Sequence, residues 1–166
     1  MKKIIVIVVM LISSALILSG CTSNKVLTLD HYKDAQSINL SSETGGLSSL
    51  DRTEKEVREE RGEPNVNGSM QGGGKVLEYN DYQYTFAKDK LTGFSTKEGQ
   101  ATGKGVKIGD GKSRVEELYG EQFTESKLDD MLIIGYADKE RGLILEFALR
   151  DGVVVQTIGL RTEMFK

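Results

Sequence analysis

The sequence predicts an α+β fold built from two tandem repeats, each a short helix packed on a three- to four-stranded antiparallel meander. Two observations lead to this prediction. A helical segment recurs 58 positions further along the chain. After each copy, the hydrophobic pattern changes from the helical period to the alternation typical of strands. We place repeat 1 at residues 47–98 and repeat 2 at residues 106–166, with a Gly- and Lys-rich linker at 99–105.

The recurring segment has the features of one short helix. The first copy spans residues 50–63 and the second spans residues 108–121, so that Val57 corresponds to Val115. In each copy a glycine follows five residues after the valine, where it can adopt the backbone conformation that ends a helix. Each helix is about two to three turns long, so it must be stabilised by packing on the sheet.

The sequence identifies the N-terminus of the first helix more clearly than that of the second. Thr53 can accept a hydrogen bond from the first turn of the first helix while Glu56 reaches back, which is a capping box. In the second helix either Asp110 or Ser113 can act as the cap, and the sequence does not choose between them. Pro64 follows the first helix and prevents it from continuing.

Alternating apolar residues predict three strands after each helix. An Asp-Gly pair at 151–152 separates two alternating runs and predicts a hairpin, as does the polar turn at 88–90. A fourth strand in each repeat would come from the segment that leads into it. The six predicted strands lie at residues 76–79, 82–86, 91–96, 131–136, 143–149 and 153–160.

The N-terminus has the pattern of an export signal. Two lysines precede an apolar run at residues 4–18, which ends in Leu18-Ser19-Gly20-Cys21. This ending resembles the bacterial lipobox, which implies cleavage between Gly20 and Cys21 and attachment of diacylglycerol to the Cys21 thiol. Two acyl chains give stable membrane attachment. The alternatives are an uncleaved anchor and an ordinary signal peptide with an incidental cysteine.

This interpretation predicts a signal peptide at residues 1–20 and a flexible tether at residues 21–46. The protein would then be attached by lipid to the extracytoplasmic face of the cell membrane. Cleavage would remove 2 of the 22 basic residues and leave 20 against 25 acidic ones. A mildly acidic chain argues against nucleic acid as a partner, because binding phosphates requires a basic surface.

Few residues are suited to catalysis or metal binding. His31 is the single histidine and Cys21 the single cysteine, which the lipobox assigns to lipid. A Ser-His-Asp triad and a clustered His/Cys metal site are therefore not expected. We predict a non-enzymatic protein with no cofactor and no metal.

Four aromatic residues are the best candidates for a binding face, because tyrosine is enriched in binding hot spots. They are Tyr79, Tyr82, Tyr84 and Phe86. Alternation places the last three on one face of a strand. The alternative is that this face packs beneath the helix that carries Val57, since each sheet must bury one face.

The Val-x4-Gly helix followed by a meander, twice over, resembles the beta-lactamase inhibitor protein superfamily and the SmpA/OmlA (BamE-like) envelope lipoproteins. The resemblance covers residues 47–163 and implies a helix on an antiparallel sheet that acts by binding proteins. The chain departs from the inhibitors because it has no cysteine pair and no Trp, and from the BamE-like proteins because they have one repeat.

The resemblance implies a membrane-anchored protein-interaction module with an envelope or extracellular protein as partner. The alternative is a domain that binds a small ligand, or inhibits an enzyme, in the concavity between the repeats. An enzyme is the third hypothesis.

Overall fold

The described part of the chain folds as an α+β protein with two α-helices and one eight-stranded antiparallel sheet, which confirms the predicted α+β class. The computed structural model describes residues 29–70 and 72–165. The lipobox, with Gly20 and Cys21, lies outside these residues. The elements follow one another as α1 (Glu54–Arg61), β1 (Val66–Ser69), β2 (Lys75–Glu78), β3 (Tyr82–Ala87), β4 (Lys90–Thr96), α2 (Lys112–Tyr119), β5 (Thr124–Leu128), β6 (Met131–Asp138), β7 (Leu143–Arg150) and β8 (Val153–Arg161).

The strands are arranged in the order β1-β2-β3-β4-β8-β7-β6-β5. Each half of the chain contributes one helix and four neighbouring strands. The two halves meet where β4 pairs with β8, at Gly93 with Leu160, Phe94 with Gly159 and Ser95 with Ile158. This short central ladder makes one continuous sheet of the two groups of strands.

The two edge strands, β1 and β5, were not among the six predicted from the sequence. Each lies between its helix and the first predicted strand, so within the described residues the fourth strand of each half follows the helix and does not precede it. Their residues alternate little in polarity, and most are exposed or half-buried because the strands border the sheet on one side only. An edge strand with few buried residues leaves no hydrophobic pattern to detect.

Both helices pack on one face of the sheet and share a single core. Val57 of α1 and Val115 of α2 are fully buried in the same cluster. The sheet contributes large side chains from both halves, among them Tyr84 and Phe147. The tyrosine phenols of Tyr79 and Tyr136 donate hydrogen bonds to the carbonyl groups of Gly62 and Gly120, the residues that end the two helices.

The described part of the segment predicted to be a flexible tether is folded against the sheet. Leu40 enters the core, and Tyr32 and Glu43 are also buried. The segment pairs with the end of β6 through a parallel bridge between Ser37 and Ala137. Apolar contact and hydrogen bonding with residues about 100 positions away hold it in place. The predicted linker at 99–105 is likewise ordered around the buried Thr102.

The helix caps agree with the sequence in α1 and differ in α2. Thr53 and Glu56 form the predicted capping box. The N-cap of α2 is Gly111, which has no side chain to offer, so neither Asp110 nor Ser113 caps this helix. The Asp110 carboxylate instead accepts a hydrogen bond from the backbone N–H of Lys107.

Candidate functional site

A cleft of about 360 Å³ opens on the helix side of the sheet, where the leading segment passes over the ends of β7 and β8. Two guanidinium groups, three serine hydroxyls and three leucines surround it. We call it the arginine cleft. It is lined by Leu40, Ser41, Glu43, Thr44, Ser48, Ser49, Leu50, Asp51, Arg141, Leu143 and Arg161.

The two arginines reach the cleft from adjacent strands. Arg161 is the last residue of β8 and pairs with Leu143 at the start of β7. Arg141 lies in the turn that joins β6 to β7, and its backbone N–H donates to the Asp138 carboxylate. Because both positions lie at the same end of the sheet, residues 20 positions apart in sequence border one concavity.

Arg161 is largely buried but only partly paired. Its side chain is 15% exposed, and its Nη2 lies 3.2 Å from Oε1 of the exposed Glu163. Its Nε is buried and has no hydrogen-bond partner among the residues that the structure describes. A buried donor without a partner is costly to the folded chain.

One wall of the cleft is held in place by Glu60 of α1. Its carboxylate accepts hydrogen bonds from the backbone N–H of Ser48, at 2.6 Å, and from the hydroxyl of the same residue, at 2.9 Å. Arg52 donates to that hydroxyl as well. This arrangement positions residues 48–52 before any ligand is present.

The other wall depends on the buried carboxylate of Glu43. It accepts hydrogen bonds from the Tyr119 phenol at 2.6 Å and from the backbone N–H groups of Gly103 and Lys104 at 2.7 and 3.1 Å. Burial and the adjacent Glu43 raise the pKa of the Tyr119 phenol, so it remains a donor. Glu43 thus joins the leading segment to α2 and to the loop at 102–104.

A second buried carboxylate, Glu146, lies on the opposite face of the sheet. The Tyr32 phenol donates to it at 2.5 Å. Burial raises the pKa of Glu146, while the Tyr32 hydrogen bond and the charge of His31 lower it. Because the leading segment contacts both faces, it passes around the end of β6.

The four aromatic residues predicted as a binding face lie in the core. Tyr79, Tyr82, Tyr84 and Phe86 are each at most 6% exposed, and the Tyr84 phenol donates to the Gly45 carbonyl. A partner protein cannot reach side chains covered by α1 and the leading segment. These side chains instead pack beneath the helix that carries Val57, which is the alternative given for this face.

The arginine cleft could not be predicted from the sequence. Arg141 follows a strand and Arg161 ends one, and arginine is common in such exposed-looking positions. Glu43 lies in a polar stretch that resembles a tether. These residues become neighbours only in the folded chain, and no local spacing in the sequence indicates that they do.

Within residues 29–70 and 72–165, no three His, Cys, Asp or Glu side chains are grouped so that they could hold a metal ion. Over the same ranges, no helix has the length and apolar character needed to cross a bilayer.

Comparison with known proteins identifies no family for this chain. No family profile matches the sequence, and no curated protein matches it either. Several solved structures match part of the chain. An extracellular protein containing an SCP domain from Bacillus anthracis has a TM-score of 0.49 at 16% identity, with 80% of this chain and 50% of that chain covered. This chain therefore spans half the length of that protein.

Two further structures extend the comparison. A DUF4309 family protein (YjgB) from Bacillus subtilis has a TM-score of 0.47 at 14% identity, covering 79% of this chain and 90% of that one. A Streptococcus mutans protein described as a candidate beta-lactamase inhibitor has a TM-score of 0.28 at 14% identity, covering 79% and 93%. Identities and TM-scores this low do not transfer a function from one chain to another.

Proposed function

We propose that this chain is a non-enzymatic binding module, attached by lipid to the extracytoplasmic face of the cell membrane, with the arginine cleft as its binding site. The observation that carries the proposal is the composition of the cleft. Its lining combines arginines, which stay protonated, with serine hydroxyls, and it includes no His, Cys or Lys. Such a site can bind and orient a ligand. Its Ser48 hydroxyl donates to the Glu60 carboxylate and accepts from Arg52, so this hydroxyl is part of the wall.

The membrane attachment is supported by the sequence Leu18-Ser19-Gly20-Cys21 after an apolar run. The first described residue, Leu29, lies eight positions after Cys21. Even a fully extended chain would separate these two residues by no more than about 28 Å. The binding module would therefore stay close to the membrane surface, in contrast to the longer tether expected from the sequence.

The attachment is tested by Cys21→Ser in the full chain, with Ser14→Ala as a control within the apolar run. We expect Cys21→Ser to lose the mass of the lipid and to leave the membrane fraction or remain unprocessed, while the control behaves as wild type. Unchanged mass together with unchanged membrane retention of Cys21→Ser would contradict the proposal.

The binding function is tested by site-specific photocrosslinking in membranes. A photoreactive side chain at Ser49, in the cleft, should give adducts that are absent when the same group replaces Ser113, which is exposed on α2. Equal labelling at both positions, or none at either, would count against a binding site in the cleft.

A protein partner is the second candidate, and the β1 edge favours it. Val66 and Met70 are 49% and 47% exposed there, and among the residues that the structure describes no strand pairs with the outer side of β1. A sheet edge can accept a strand from another protein. Val66→Lys should then abolish crosslinks to a photoreactive group placed at the β1 edge, while crosslinks formed at Ser49 remain. Edge crosslinks that remain in Val66→Lys would rule out this candidate.

We also propose that the two halves are tandem repeats of one helix-plus-meander unit. The support is the shared order of one helix and four strands, and the equivalent Tyr79–Gly62 and Tyr136–Gly120 hydrogen bonds. Co-expressed fragments 1–98 and 99–166 should associate through β4 and β8. Independent, non-associating fragments would oppose this proposal.

A further inference from the structure

We propose that the arginine cleft binds a small molecule that carries one carboxylate and an apolar substituent, with the carboxylate held by Arg161 and Arg141. This inference rests on the proposed binding function and names the chemical class of its ligand.

The free donors of the two arginines favour a carboxylate. A guanidinium group offers five N–H donors in a planar fork that matches the two oxygens of a carboxylate. Arg161 uses Nη2 for Glu163, while its Nη1 forms no hydrogen bond with the described residues. Arg141 is 58% exposed, and its Nε lies 3.7 Å from Asp138, beyond hydrogen-bond distance. Both side chains therefore keep donors for a ligand.

The charges of the lining favour a single negative charge over two. Glu43 and Asp51 are the acidic residues in the cleft. The Glu43 carboxylate is already compensated by the Tyr119 phenol and two backbone N–H groups. Asp51 in the lining, together with Asp138 beside Arg141 and Glu163 beside Arg161, offsets much of the positive charge of the two guanidinium groups. A monocarboxylate matches this balance, whereas a phosphate dianion would be repelled by Asp51.

The remaining lining favours an apolar substituent. Leu40 and Leu143 are buried, and Leu50 is half-buried beside them. A ligand side chain that covers the exposed part of Leu50 would remove apolar surface from water. The volume of about 360 Å³ is near the lower end of the range for small-molecule sites. The ligand is therefore the size of an amino-acid derivative.

The test measures binding of three probes to the full-length lipidated protein in detergent micelles by equilibrium dialysis. The probes are N-acetyl-leucine, its amide N-acetyl-leucinamide, and inorganic phosphate. We expect N-acetyl-leucine to bind at least about tenfold more tightly than the amide, because only the carboxylate forms charge-assisted hydrogen bonds with both arginines. Phosphate should bind more weakly than N-acetyl-leucine. Equal binding of acid and amide, tighter binding of phosphate, or no binding of N-acetyl-leucine would each overturn the proposal.

Matched variants locate the binding. Arg161→Gln should weaken N-acetyl-leucine binding at least about tenfold, while Arg150→Gln should leave it unchanged, because Arg150 is exposed and pairs with Asp130. If Arg161→Gln does not fold, Arg141→Gln replaces it, since this exposed side chain lies in a turn. Unchanged binding in the folded variant would refute the assignment.

Asp51→Asn tests the charge argument separately. It should strengthen phosphate binding relative to N-acetyl-leucine; an unchanged ratio would contradict the role given to Asp51. Crosslinking at Ser49 that persists without N-acetyl-leucine binding would overturn the ligand class alone. Loss of both would overturn the binding function as well.

Discussion

The phenol of Tyr32 donates a 2.5 Å hydrogen bond to the carboxylate of Glu146, across 114 positions of the chain. Tyr32 belongs to the leading segment and Glu146 to the sheet face opposite the helices. Both side chains are buried. This hydrogen bond fastens the leading segment to the sheet before the segment continues around the end of β6 to the arginine cleft.

Removing the Tyr32 hydroxyl should therefore destabilise the fold. Tyr32→Phe leaves the buried Glu146 carboxylate without this donor, so we expect the free energy of unfolding to fall by about 1–3 kcal/mol. Urea-induced unfolding of the purified full chain measures the change. Tyr82→Phe is the matched control, because the Tyr82 phenol makes only long hydrogen bonds of 3.2 and 3.4 Å. Equal losses in both variants would show that the hydrogen bond to Glu146 has no special weight.

The position of Tyr32 also depends on Gly135 in β6. A Cβ atom at this glycine would lie 2.3 Å from the Tyr32 hydroxyl oxygen and 2.6 Å from its ring. Gly135→Ala should cost about 1–3 kcal/mol through overpacking. Gly68→Ala is the control, since a Cβ there meets nothing closer than 4.0 Å. In a Tyr32→Ala background, Gly135→Ala should be nearly neutral in urea unfolding; an undiminished cost would place the clash elsewhere.

Glu146 should make stability depend on pH. Burial raises the pKa of its carboxyl above the ordinary value, so the folded chain binds this proton more tightly than the unfolded chain does. Protonation of Glu146 therefore stabilises the folded chain at pH values below the unfolded-state pKa of about 4.3. This stabilisation is lost as the pH rises through the pKa of Glu146 in the folded chain. The free energy of unfolding of wild type, measured relative to that of Glu146→Gln, should therefore be lower at pH 7 than at pH 4.

Urea unfolding of both chains at the two pH values checks this expectation. The exposed Glu121 provides the control, because Glu121→Gln should keep the same difference from wild type at pH 4 and pH 7. A difference between wild type and Glu146→Gln that does not change with pH, or that changes in the opposite direction, would refute the role of Glu146.

Glu43 should hold the loop at 102–104 against α2. Glu43→Gln replaces one acceptor oxygen by a donor group in a site that supplies four donors, so we expect a loss of about 1–3 kcal/mol. Hydrogen exchange at the Gly103 and Lys104 amides should become faster, which mass spectrometry can follow. Asp110→Asn is the control, since Asp110 accepts from one backbone N–H in an exposed loop. Unchanged exchange at both amides would rule out this role for Glu43.

Several elements could be predicted because local patterns specify them. The α1 start follows from the Thr53–Glu56 capping box. The turn after β7 follows from Asp151-Gly152, since both residues have positive φ. The α2 start could not be chosen, because its N-cap is a glycine without a side-chain hydrogen bond. Its position depends on pairing of Gly111 with Val153, which is a tertiary contact.

The aromatic residues show where local pattern is insufficient. Alternation correctly places Tyr82, Tyr84 and Phe86 on one face of β3, but it does not tell whether that face is covered. Coverage is decided by α1 and by the leading segment, where the Gly45 carbonyl accepts the Tyr84 phenol from 39 positions away.

The sequence by itself determined the α+β class, two helices, six of the strands and the absence of cysteine pairs, because these depend on residues close together in the chain or on composition. Only the tertiary structure decided that both helices share one core, that the leading segment is packed, and that Arg141 and Arg161 border one cleft with Glu43 in its wall. These arrangements arise from contacts between residues distant in sequence, whose energy is gained only when the whole sheet has formed.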